Sequence, residues 1–181
     1  MLFKSNIMKD KMTIAIDCER NGLRGQFISI AVAAMDEDQT VSEYVWAVEP
    51  KSITDIQEWV YDNVLPYHPE VTHKTTLEML IAFGKWWRKF SKNYNVTVIG
   101  HMVCPVETDL FSELYKLGLM GEFEGPYRFF DINVLLEIVT QKHDCLDEYV
   151  QKKGLNFQTH NPLEDAKSAL FGYKYLLEDL I

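Results

Sequence analysis

Apolar positions in the first fifty residues fall into three short runs separated by polar turns, and each run reads as a strand. Met12 to Cys18 is a compact apolar segment and Gln26 to Met35 is rich in Ile, Val and Ala. Val41 to Val48, rich in β-branched and aromatic residues, reads as a third strand. The turns between them, Asn21-Gly22-Leu23-Arg24-Gly25 and Asp36-Glu37-Asp38-Gln39, are short enough to join antiparallel neighbours. Helical spacing then takes over. Thr54 to Leu65 is expected to be helical until Pro66 stops it, and Thr75 to Tyr94 to be a longer amphipathic helix carrying Trp86, Trp87 and Phe90. Asn95 to Gly100 reads as a buried strand. Further helices are expected over Pro105 to Leu117, ended by Gly118, over Asp131 to Gln141, and from Asn161 or Pro162 to Leu180, with Asp131 as an N-cap at a strand-to-helix junction. Strands gathered early and helices alternating later predict an α/β fold, a mixed sheet covered by helices.

Composition narrows the class. A chain of 181 residues, 47% hydrophobic and 13% aromatic, can bury a substantial core, and it contains no linker, repeat or low-complexity tract, so residues 1–181 are expected to form one domain. The net charge of -9 argues against a protein that coats nucleic acid through a broad basic surface. Any nucleic acid is expected to be held locally, by metal ions and a few side chains. Cys18, Cys104 and Cys145 are widely spaced and unpaired in pattern, as reduced thiols of a cytoplasmic protein would be. Met1 to Lys11 lacks the apolar run of a signal peptide, and no stretch of about 18 consecutive apolar residues occurs, so a soluble protein with no membrane partner is expected.

The chemistry concentrates at two ends of the chain. Asp17 and Glu19, one residue apart on the first strand, project from the same face. Two carboxylates side by side repel, and a fold that keeps them together usually supplies a cation. Near the other end, His160-Asn161-Pro162-Leu163-Glu164-Asp165 places a histidine just ahead of a helix whose first turn carries a third acid, Asp165. Acids with one histidine suggest metal-assisted hydrolysis. The middle of the chain offers a fourth acid: Pro105 suits a first helical turn, so Glu107 lies near a helix N-terminus, with Leu110 and Phe111 packing beneath its face. Asp109, followed by Ser112 and Glu113 at those offsets, is the fallback.

Asp17-Cys18-Glu19, the acid at the start of a central helix and the HxxxxD pattern of His160 and Asp165 together resemble the DEDDh branch of the DnaQ-like exonucleases, over nearly the whole chain. Phe27 to Val32 and Trp59 to Pro66 further resemble segments of compact bacterial and phage exoribonucleases. The resemblance implies a ribonuclease-H-like mixed five-stranded sheet, its first three strands antiparallel, flanked by helices. It also implies 3′-to-5′ hydrolysis of single-stranded RNA or DNA ends, or of short oligonucleotides, with two divalent ions, Mg²⁺ or Mn²⁺, which oxygen ligands favour. Carried over residue by residue, Asp17, Glu19, Glu107 and Asp165 are the expected metal ligands and His160 the base, an imidazole being able to take a proton near neutral pH. The resemblance also implies Leu23 as a substrate contact, since the family's loop after the first acids commonly packs a leucine against the terminal base. Glu107 departs from the pattern, where Asp is usual. Relatives often pair, so a homodimer is among the expected states.

Other readings stay open on sequence alone. RNA is favoured over DNA by the resemblance only, and a small-nucleotide hydrolase or a catalytically silent module binding nucleic-acid ends or a protein would fit the same residues. Trp86, Trp87 and Phe90 read as core or interface, Lys85, Arg88, Lys89 and Lys92 as a solvated face, and His68, His73 and His143 as surface residues. His101 with Cys104 lacks the second metal-spaced pair that a zinc site requires.

Overall fold

In a computed structural model describing residues 9–181, five strands form one sheet in the order β3-β2-β1-β4-β5. The expectation for Met1 to Met8, that no signal peptide is present, lies outside the described residues. Strands β1 (Lys11–Arg20), β2 (Phe27–Asp36) and β3 (Val41–Ala47) form the antiparallel meander, while β4 (Asn95–Gly100) runs parallel to β1 and β5 (Phe129–Asp131) parallel to β4. This is the ribonuclease-H-like mixed sheet. No described helix is long and apolar enough to cross a membrane.

The alternation along β1 divides the molecule into two layers. Ile14, Ile16 and Cys18 face one core with helices α2 (Thr76–Asn93) and α3 (Val106–Lys116), where Trp87 and Phe90 are buried and Trp86 packs against Trp46 and Phe90. Ala15 faces the other core, with α4 (Asn133–Thr140), α5 (Leu146–Lys152) and α6 (Pro162–Asp179). Asp17 and Glu19 continue the Ala15 face by the same period of two, so they point toward α6. Small residues keep that layer close: Ala15 and Ala33 on the sheet meet Ala166 and Ala169 on the helix.

Two elements differ from expectation. The helix expected over Thr54 to Leu65 is reduced to α1 (Glu58–Asn63), with a 3-10 turn at Leu65–Tyr67 where Pro66 sits. Buried Asn21 explains the late start: its amide donates to the carbonyls of Thr54 (3.1 Å) and Asp55 (3.0 Å), and its oxygen accepts from Gln57 N–H (2.8 Å). Those backbone groups are thereby satisfied outside a helix. Helix α5 was not expected, yet Leu146, Tyr149 and Val150 bury at offsets of three and four, the spacing of one helical face. By contrast α2 begins as its sequence suggests, with Thr75 and Glu78 forming a capping box.

Candidate active site

The site forms where β1 outruns its neighbour. Pairing of β1 with β4 ends at Ala15 opposite Ile99. Gly100 then closes the strand in a space that tolerates no side chain: a Cβ there would lie 2.6 Å from Val103 Cγ1 and 3.1 Å from the Ile16 carbonyl oxygen. The chain turns away and α3 delivers Glu107, only 5% exposed, to the vacated edge, where its Oε1 accepts a hydrogen bond from Cys18 N–H at 3.1 Å. The extra methylene relative to Asp provides the reach to this backbone group.

From the other layer comes Asp165. Asn161 caps α6 through its side-chain oxygen, accepting from the N–H groups of Leu163 (3.2 Å) and Glu164 (3.3 Å), and Pro162 occupies the first turn. That cap aims the first-turn acid at the sheet. Carboxylate oxygens of Asp17, Glu19 and Asp165 lie within 4.8 Å of one another. They line a cleft of about 510 Å³ together with His160, His101 and Met102. His160 has a left-handed backbone (φ 62°), uncommon for a non-glycine residue, and its ring meets Trp59 edge-on at 5.4 Å between centroids.

Electrostatics mark the cluster as costly without a cation. Burial first, then the charges of Asp165, Glu107 and Glu19, hold the Asp17 carboxyl well above the usual range. Burial likewise pushes Glu19 and Glu107 up to about 8, with Asp165 and Glu107 adding to the effect on Glu19, and raises Asp165 to about 7 despite a hydrogen bond from the His160 backbone. Oxygen donors alone, three of them convergent and mutually repelling, fit a hard divalent cation such as Mg²⁺ or Mn²⁺.

The residues anticipated from sequence are therefore unequally placed. Asp17, Glu19 and Asp165 converge, and His160 lines their cleft. Glu107 stands behind them, within Coulombic reach of Asp17 but with one oxygen committed to Cys18. The fallback Asp109 is occupied elsewhere, paired with Arg20 (3.1 Å) and Arg24 (3.3 Å). Leu23 is 66% exposed on the β1–β2 turn and is not among the residues lining the cleft.

Asp131 does more than the N-cap expected of it. The cap position is Ile132, and the Asp131 carboxylate accepts from Met102 N–H (3.1 Å), Val103 N–H (3.3 Å) and Asn133 N–H (3.0 Å). It clamps the loop that leads to Glu107. His68 is likewise more than a surface residue, with Nε2 2.8 Å from the Val48 carbonyl oxygen. Apart from the Asp131–Asn133 bond, neither these contacts nor the Asn21 bonds have a local sequence signal, because their partners are 20 or more residues away.

The two functions of Glu107 can be separated by substitution. Glu107→Gln retains an acceptor for Cys18 N–H and removes a buried charge, so the metal-free protein should be at least as stable as the wild type. Glu107→Asp withdraws the acceptor and should lose about 1–3 kcal/mol, the cost of an unpartnered buried N–H. Denaturant titration in a chelator distinguishes the two; equal stability of both variants would remove the Cys18 bond as the reason for glutamate.

No family model and no curated protein matches the chain. Solved structures do. The nuclease domain of 3'hExo, a DEDDh family member bound to rAMP, aligns with a TM-score of 0.68 and 12% identity over 94% of this chain and 93% of its own. Exonuclease I aligns with a TM-score of 0.68 and 11% identity, covering 93% of this chain and 41% of its own. The E. coli Exonuclease I complex with a 5cy-dA13 oligonucleotide gives a TM-score of 0.61 at 10% identity, over 93% of this chain and 40% of that one. At such identities the likeness is one of fold, and the chain shares the ribonuclease-H-like architecture of these nucleases.

Proposed function

We propose that this chain is a metal-dependent 3′-to-5′ exonuclease of single strands, with RNA the preferred polymer. The observation that carries the reading is the convergence of Asp17, Glu19 and Asp165 within 4.8 Å in a cleft that His160 also lines. The 3'hExo nuclease domain and exonuclease I, which have this fold, support it. Preference for RNA rests on the resemblance of Phe27 to Val32 and Trp59 to Pro66 to bacterial and phage exoribonucleases; the first segment is buried in β2 and the second carries the Trp59 that abuts His160.

Asp17, Glu19 and Asp165, with Glu107 behind them, would hold two divalent ions. When bound, such ions polarise the phosphoryl group, favour deprotonation of water and neutralise charge on the leaving oxygen. The carboxylates keep the cleft from attracting phosphate until cations are present. His160 accepts the proton of the attacking water, and Trp59 fixes the orientation of its ring. Leu23, from its turn, packs on the terminal base.

His160→Gln is expected to lower kcat by about 10²–10⁴-fold, the usual worth of a general base. Calorimetric titration with Mn²⁺ should change little, since His160 is not a ligand in this scheme; a large loss of Mn²⁺ affinity would move His160 into the metal set. The function itself is tested with 5′-labelled single-stranded RNA and matching DNA in Mg²⁺ or Mn²⁺. The expected result is a ladder shortening from the 3′ end, faster on RNA. Failure to cleave either polymer, with the protein folded and metal present, overturns the reading.

A further inference from the structure

A second concave surface lies at the opposite end of the sheet. The C-terminal half of α2, the starts of β1 and β4 and the segment Phe123 to Arg128 enclose a groove of about 1330 Å³. Lys11, at the groove, precedes Asp17 by six residues of extended strand, so the two concavities stand about 20 Å apart along β1.

Its chemistry is unlike that of the rest of the molecule. On a chain of net charge -9, Arg88, Lys92 and Arg128 line the groove with no ion-pair partner among the described residues. Lys9 adds a fourth cation, its Nζ donating to the Ser91 carbonyl oxygen at 3.0 Å. Of the acids present, Glu37 pairs with Lys11 at 3.6 Å and the Glu124 carboxylate accepts from Gly121 N–H at 2.7 Å, which leaves Asp10. Between the cations stand rings turned to solvent: Tyr127 is 97% exposed, Phe123 89% and Phe130 45%. The segment bearing Phe123 and Tyr127 is anchored, since Trp87 Nε1, deep in the core, donates to the Glu124 carbonyl oxygen.

We propose that this groove binds single-stranded nucleic acid, with Arg88, Lys92 and Arg128 on phosphates and Phe123 and Tyr127 stacked on bases. Cations follow a phosphate backbone of any sequence, and exposed rings stack only on unpaired bases, so the combination selects a single strand over a duplex. The strand's role in feeding the acidic cleft rests on the exonuclease reading, whereas binding itself does not. Two members of the basic run on α2, Arg88 and Lys92, thereby have a ligand to face rather than bulk solvent alone.

The test is fluorescence anisotropy with labelled RNA and DNA strands of about twenty nucleotides, in EDTA, where the acidic cleft repels phosphate and only the groove can hold the strand. The wild type should bind, and bind the matching duplex more weakly. Arg88→Glu/Arg128→Glu and Phe123→Ala/Tyr127→Ala should each weaken binding by about tenfold or more, the charge-reversed protein also losing part of its salt dependence. Both pairs are surface changes, and unaltered thermal midpoints would confirm intact folding. Failure of the wild type to bind in EDTA, or unchanged affinity in both variants, overturns the proposal even if the cleft hydrolyses dinucleotides. So does a sedimentation result in which the substitutions break a dimer and leave oligonucleotide affinity untouched, since the groove then serves a second copy of the chain. Binding without any hydrolysis would sustain the groove and defeat the exonuclease reading.

Discussion

Asp17→Asn is expected to abolish metal-dependent hydrolysis, by about a thousandfold or more, while making the metal-free protein more stable by about 2 kcal/mol. Both effects have one origin. Asp17 sits half-buried among Asp165, Glu107 and Glu19, and loss of hydration together with these neighbours disfavours its charged form. Asparagine keeps the shape and removes the repulsion, but it also removes the anionic oxygen that faces the partner acids. For a chain of this length the stability gain corresponds to a rise of about 4–8 °C in Tm. Scanning calorimetry in EDTA and hydrolysis of 5′-labelled RNA with Mn²⁺ read the two effects separately. Asp165→Asn should behave in the same way. Asp109→Asn should not, because it weakens the ion pairs with Arg20 and Arg24 and leaves the cluster untouched. Activity of Asp17→Asn within tenfold of the wild type would sink the assignment of the cleft.

The second large effect is a pH dependence that metal reverses. Glu19 and Glu107 titrate near 8 and Asp165 near 7 in the folded protein, all far above the usual carboxylate range, which an unfolded chain restores. Between about pH 4 and pH 8 the native state therefore binds more protons than the unfolded one. Stability of the metal-free protein is greatest at the acid end of that window and falls as the pH rises through it. Divalent cations compete with those protons, so they bind weakly at pH 5 and firmly at pH 8. With Mn²⁺ at about a hundred times its Kd, stability at pH 8 should rise by about 2.7 kcal/mol, or about 5–11 °C in Tm, and hardly at all at pH 5. A metal-free Tm that climbs from pH 5 to pH 8, or a Mn²⁺ shift equal at both values, would contradict the cluster's electrostatics.

Local pattern made much of this legible. The alternation in β1 set Asp17 and Glu19 on one face, and the three early apolar runs predicted the meander, because both follow from the period of two and from short turns. Asn161 and Pro162 announced the start of α6, and so the place of Asp165. The short α5 rests on Leu146, Tyr149 and Val150, and one helical face in seven residues is a weak signal. The helix expected from Thr54 starts late for a different reason: Asn21, more than thirty residues earlier, takes the backbone groups that a helix would have used.

By itself, then, the sequence determined the α/β class, most of the order of elements and the facing of the acids, because dihedral preferences and side-chain period act between near neighbours. Only the tertiary structure decided which acids meet. It separated Glu107 from Asp109 by giving one the Cys18 N–H and the other two arginines, and it turned Asp131 into a clamp on the loop before α3. It also gathered Arg88, Arg128, Phe123 and Tyr127 around one groove. Such pairings depend on which backbone groups and charges the packed layers leave unsatisfied, and that is settled only when distant segments close on one another.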